Sequence, residues 1–372
     1  MVSTYASYQL LARDIDRSLA TVSKQPAVAR ETAYFNENIG NVKTVEEFVG
    51  DSRLFNYAMK AHGLSDMAYA KAFMIKMLNE GVSEPTAFAN KLTDKRYAEF
   101  VKTFNFAARG EEAVNFSPAR DGTAAKYQIE AFNNGVDPLN ETLQAQVKYF
   151  KENIVKVTSV DEFMAATDLY GIAMKAYGLG DRIEDTAFMR QILEEGVSDP
   201  DSLANRQTDA KYAEFASVFN FAERGAGTTT YRPAVEGTTE SYMRQTLEEN
   251  AGQQNDGVRL ALYFERKAPS LTSTFQILGD KALAEVVRTA LGLPDAFASA
   301  DVDRQVAAIE NRLDIADLKD PEKLASFISR FTAMYEMKNN MSSTPNISLL
   351  LQPSTGFGLS TDMLMTLQKL RG

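Results

Sequence analysis

The sequence predicts an all-α protein made of three tandem copies of one helical unit, the third divergent, with amphipathic helices at its ends. Three observations carry this. Shifted against itself by 115 residues, the chain matches without a gap from 34–110 onto 149–225, with 40 of 77 positions identical. Its apolar residues recur every three or four positions, and no stretch alternates with the period of two that a half-buried strand requires. Helix start and stop signals also fall at matching places in each copy.

The repeat register runs through the joint, where "NFSPARDGT" (115–123) meets "TYRPAVEGT" (230–238). An eroded third copy follows. Its Tyr263-Phe264 answers Tyr34-Phe35 and Tyr149-Phe150, and "TALGL" (289–293) falls on "KAYGL" (175–179). The expected units are 1–115, 116–230 and 231–340, followed by a linker and C-terminal amphipathic helix over 341–372.

Taken in order, the elements have local reasons. Tyr8, Leu11, Ile15, Leu19 and Val22 make one stripe on a first helix. Thr44 and Glu47 have capping-box spacing, repeated by Ser159 and Glu162, so each starts a helix. That segment closes at Gly63-Leu64, Gly178-Leu179 and Gly292-Leu293, where glycine takes the left-handed conformation and leucine packs back. The next helix stops at Gly81 and Gly196. Ser83-Glu84-Pro85 and Ser198-Asp199-Pro200 then read as cap and first turn of another. The last helix of the unit carries Tyr97, Phe100, Val101 and Phe104, with "FNFAARG" (104–110) as its closing turn and "FNFAERG" (219–225) as the duplicate. The joints pair an aromatic with a proline, Phe116 with Pro118 and Tyr231 with Pro233. Such joints are expected to dock on the units and not to behave as flexible spacers. The tail resumes a stripe at Leu359, Met363, Leu367 and Leu370, with Leu364 beside it.

Composition excludes several functions. A net charge of -10 over 372 residues argues against nucleic acid, which requires a basic surface, and against adsorption to anionic lipid. With no cysteine there is no disulfide, thiolate zinc site or cysteine nucleophile. The N-terminus lacks a signal peptide, and no apolar run is long enough for membrane insertion. These features fit a cytoplasmic location, which is the expectation from composition alone.

No residue set names a reaction. The one histidine, His62, aligns with Tyr177 and Leu291 and reads as a half-buried structural residue. Gly225/Gly227 and Gly356/Gly358 lack the third glycine and lysine of phosphate loops. Acidic doublets such as Glu46-Glu47 and Glu248-Glu249 read as solvated faces. Catalytic, cofactor-binding and metal-binding residues are therefore expected to be none. Candidate partner contacts are Asn105, Arg109, Asn220 and Arg224, one polar pair per unit, together with the apolar stripes represented by Leu11, Ile15, Leu364 and Leu367. A structural reading of the polar pairs stands beside this: arginine faces the negative helix end, and asparagine bonds to nearby backbone.

The strings "VEEFVGDSRLFNYAMKAHGL" and "LNEGVSEPTAFANKLTDKRYAEFVKTFNFAARG", with their second copies, resemble an alphaproteobacterial family built from repeats of a multihelical domain of unknown function. The resemblance covers 1–340. It implies genes within flagellar clusters, and hence a non-enzymatic flagellar structural or assembly role with protein partners; it brings no catalytic residues. Axial flagellar proteins share paired terminal helices but commonly carry β-rich middles, so the resemblance favours an associated or assembly protein. The alternative is a cytoplasmic helical-repeat adaptor unrelated to motility, presenting a groove for a peptide.

Overall fold

The computed structural model describes residues 3–343, and among these it is helical with no strand. The N-terminal stripe is divided between two helices, α1 (Thr4–Ala12) and α2 (Ile15–Ser23), where a single one was expected. Asp14 leaves the helical conformation and its carboxylate accepts the Arg17 amide, so the chain starts afresh. Tyr8 accordingly enters the third core, while Ile15, Leu19 and Val22 pack on the first.

The first body comprises α3 (Pro26–Asn38), α4 (Val45–Gly50), α5 (Ser52–Ala61), α6 (Lys71–Glu80), α7 (Phe88–Lys91), α8 (Arg96–Thr103) and α9 (Phe106–Arg109). A joint helix, α10 (Thr123–Asn133), leads to the second: α11 (Glu141–Asn153), α12 (Val160–Ala165), α13 (Thr167–Ala176), α14 (Thr186–Glu195), α15 (Ala210–Val218) and α16 (Phe221–Arg224). A second joint helix, α17 (Thr238–Gln254), leads to α18 (Asp256–Lys267), α19 (Thr274–Gly279), α20 (Lys281–Ala290), α21 (Val302–Glu310) and α22 (Pro321–Ser343).

The local signals act as read. Thr44 and Glu47 form a reciprocal capping box, and Gly63, Gly178 and Gly292 all have positive φ, between 64° and 68°. The segment after Gly81 departs from expectation. Ser83-Glu84-Pro85 forms a turn, not a helix start, and 198–206 has no helix at all. The reason is a side chain: the Asn90 amide donates to the carbonyls of Val82 and Glu84, and Asn205 does the same to Val197 and Asp199. These bonds satisfy backbone acceptors in a turn and remove the advantage of a helix.

Each body buries an aromatic cluster. Phe48 lies 4.6 Å from Phe104, and Phe163 lies 4.6 Å from Phe219, all four fully buried. Burying each such ring stabilises the fold by roughly 1.5–3 kcal/mol. The third core gathers α1, α18, α20 and α22. At Gly257 the backbone of α18 approaches so closely that an added Cβ would lie 2.5 Å from the Tyr335 ring and 2.9 Å from Thr4.

The joint helices are exchanged. α10 follows the first body but packs on α13 of the second, and α17 follows the second body but packs on α5 of the first. Tyr127 of α10 and Tyr242 of α17 occupy equivalent positions, one in each core. The first core thus includes Ala234, Val235, Tyr242, Met243 and Leu247, which the repeat register assigns to the third unit. Where the joints cross, Ser117 Oγ donates to the Thr229 carbonyl at 3.3 Å and Arg232 Nη1 to Asn115 Oδ1 at 3.4 Å.

Candidate functional site

The duplicated "FNFAARG" is a break between two helices, not the closing turn of one. α8 ends at Thr103 with Phe104 as its C-cap, and Asn105 begins α9 as its N-cap, Oδ1 accepting the Ala108 amide at 3.2 Å. Asn220 caps α16 likewise, accepting the Glu223 amide at 3.3 Å. Both asparagines are buried, because each lies over the glycine that ends the preceding long helix. An added Cβ on Gly196 would meet Asn220 Oδ1 at 2.6 Å, and one on Gly81 would meet Ala107 at 2.8 Å. With φ of 64° and 77°, these positions suit glycine twice over.

Arg109 and Arg224 turn towards the joints. The Arg109 guanidinium lies 3.8 Å over the Phe116 ring and that of Arg224 lies 4.1 Å over Tyr231. Each arginine therefore pins its joint aromatic by a cation–π contact. The polar partner patch expected from Asn105, Arg109, Asn220 and Arg224 does not form, since the asparagines are enclosed and the arginines are stacked within the chain. Leu11 packs between the first and third cores and Ile15 on the first. Leu364 and Leu367 lie outside the described residues.

His62 is half-buried, as expected. Its Nδ1 is 2.9 Å from the Ala58 carbonyl and its Nε2 3.3 Å from Thr103 Oγ1, and the ring stands edge-on to Phe100. Burial pushes its pKa down to about 4. The doublet Glu248-Glu249 is not a solvated face: Glu248 is 1% exposed and receives Arg266 Nε and Nη2, both at 2.7 Å, across the α17–α18 contact. Among the described residues, no group of three or more acidic or histidine side chains is placed to hold a metal. No described helix is long and apolar enough to cross a membrane.

What distinguishes one copy from the other is a groove of about 500 Å³ beside α10, α11 and α13 of the second body, lined by Tyr127, Gln146, Tyr149, Asp168, Gly171 and Lys175. On the outer face of α10, Ile129 and Phe132 are 60% and 62% exposed. Their equivalents on α17 are Arg244 and Leu247, and Leu247 is 5% exposed because α2, α5 and α18 all pack on that helix. Sequence reasoning missed these residues. Their signal was present, however, in the positions at which the second copy departs from the first.

The DUF1217 family, described as proteins of unknown function, matches residues 61–181 and again 176–324. The chain belongs to that family. The two matches start 115 residues apart, the same interval as the internal repeat. A DUF1217 repeat thus begins at the end of α5 or α13 and runs through a joint, so the exchanged helix lies inside it. The chain is also similar to a protein of Agrobacterium tumefaciens solved by X-ray crystallography as a structural-genomics target, with 36% identity over 91% of this chain and 97% of that one and a TM-score of 0.54. No curated protein matches the chain.

Proposed function

We propose that this DUF1217 protein is a non-enzymatic structural or assembly component that works through protein–protein contacts, in the flagellar setting implied by the family resemblance. The observation that carries the contact reading is the uncovered apolar face of α10. The same positions of α17 are packed within the chain, whereas Ile129 and Phe132 face solvent. Leu139, in the loop that follows the helix, is also 84% exposed. A soluble protein gains nothing from such a grouping unless something covers it. The rest of the exchanged architecture holds α10 rigidly against α13, as a docking element requires.

A clean deletion strain tests the setting. Impaired swimming or malformed flagella is the expected result; normal motility would overturn the flagellar role and leave a helical-repeat adaptor. Returning the gene with Ile129→Asp and Phe132→Asp tests the surface. Both positions are solvent-facing, so the purified variant should melt like the parent yet fail to restore function. Full restoration would remove α10 as the docking face.

A further inference from the structure

The three copies of the unit contain one tyrosine in the same place, and its surroundings differ in a way that points to a ligand. In the first copy the Tyr34 hydroxyl donates to Asp51 Oδ2 at 2.7 Å, and the Arg53 guanidinium lies 3.7 Å over the ring while pairing with Glu31 at 3.1 Å. Tyr57 stacks on Tyr242 at 3.8 Å, and Lys60 pairs with Glu249 at 2.9 Å. The groove is filled by the chain's own side chains. In the third copy the Tyr263 hydroxyl again donates to an aspartate, Asp280 at 2.5 Å.

The second copy has dismantled this filling. Ala166 stands in the place of Asp51, Asp168 in that of Arg53, Gln146 in that of Glu31, and Ile172 in that of Tyr57. Gly171 replaces Asn56, and an added Cβ there would meet nothing within 4 Å. Asn134 stands where Glu249 would be, so Lys175 keeps the position of Lys60 without its carboxylate. Neither Asp168 nor Lys175 has an ion-pair partner among the described residues. Tyr149 is 45% exposed. The result is an aromatic face, an unpaired carboxylate and an unpaired ammonium around one open groove.

We infer that this groove receives an arginine side chain of a partner protein, stacked on Tyr149 and paired with Asp168, while an acidic group of the same partner segment pairs with Lys175. The first copy supplies the pattern, because its own Arg53 already occupies the corresponding ring face. Reversing the charge at that position, from Arg53 to Asp168, both empties the site and makes it select a cation from outside. A guanidinium fits better than an ammonium, since its plane stacks on a ring while its edge bonds a carboxylate. Asp168 and Lys175 are seven residues apart on α13, about 10 Å along the helix. That spacing suits an arginine and a glutamate three residues apart in a polyproline II segment, whose three-residue turn presents both on one face about 9 Å apart. The inference rests on the protein-contact reading but uses a different face of α10 from Ile129 and Phe132.

The test uses the full chain with fluorotyrosine placed at position 149, titrated with the acetylated, amidated peptide Arg-Ala-Ala-Glu and followed by fluorine NMR. A saturable shift is expected, about tenfold weaker with Lys-Ala-Ala-Glu and abolished by Asp168→Arg, which supplies the first copy's own filling at an exposed site. The absence of any saturable shift, or an undiminished shift in Asp168→Arg, would overturn the groove as an arginine site. Either result is independent of whether Ile129→Asp with Phe132→Asp disables the protein in cells. A failed groove and a failed docking face can thus be told apart.

Discussion

Tyr242 lies face to face on Tyr57, with ring centroids 3.8 Å apart and planes 9° apart, although the whole second body separates them in sequence. This stack is where α17 closes on the first body, so a helix from beyond the second unit completes the core of the first. Both rings are buried. Truncation by Tyr242→Ala is expected to cost about 3–5 kcal/mol, the range for a large aromatic in a core. Urea unfolding followed by hydrogen exchange checks it: protection should fall first in α5 and α17, and uniform loss over all three bodies would contradict a local lock.

A second contact of the same helix is ionic. Glu248 is enclosed between α17 and α18 with both carboxylate oxygens on Arg266, and Arg244 approaches at 3.6 Å. Removing one partner leaves an uncompensated buried charge, so Glu248→Gln should destabilise by about 3–5 kcal/mol. Replacing both, with Glu248→Leu and Arg266→Met, should cost less than the single change, because no charge is stranded. Denaturant midpoints of the two variants decide the order.

The asparagine caps give a paired test. Asn105→Ala and Asn220→Ala each remove a cap and leave backbone amides without an acceptor, for about 1–2 kcal/mol. The loss should be larger at Asn220, which is 1% exposed against 8% for Asn105, and whose amide also donates to Glu223 at 2.7 Å. Equal midpoints for the two variants would mean that enclosure adds nothing to the cap.

These features were unequally legible in the sequence. Helix ends at Gly63 and Gly178, and the Thr44 box, depend on a few neighbouring residues and could be read directly. The break at Asn105 could not, because Phe100, Val101 and Phe104 continue one apolar stripe up to it and conceal a cap. The exchange of α10 and α17 was hidden for a different reason. Register shows that Tyr127 and Tyr242 are equivalent, but it says nothing about which body each covers. The groove lay between these cases: the alignment of copies already contained Ala166 for Asp51 and Asp168 for Arg53, yet only the fold shows that Tyr34, Arg53 and Glu31 meet in space.

His62 provides a pH-dependent prediction with a clean control, since the chain has no other histidine. Its ring is half-buried against Phe100 with Nδ1 at the Ala58 carbonyl, and burial holds its folded pKa at about 4, below the ordinary 6.5. Between those values the unfolded chain binds the proton and the folded one does not, so stability falls as pH drops through the window from about 6.5 to 4. Below about 4 both states are protonated and this residue adds no further loss. The full effect is about 3 kcal/mol. Nearby Glu99 favours the charged ring, while Lys267 and Arg266 oppose it. Because other groups also titrate in this range, the measurement is a difference: unfolding free energies of the parent and of His62→Tyr, the residue the second copy carries at Tyr177, compared from pH 7 to 4. The gap should shift in favour of the variant by that amount as pH falls, and a constant gap would show that the histidine is protonated as readily in the fold as in the unfolded chain.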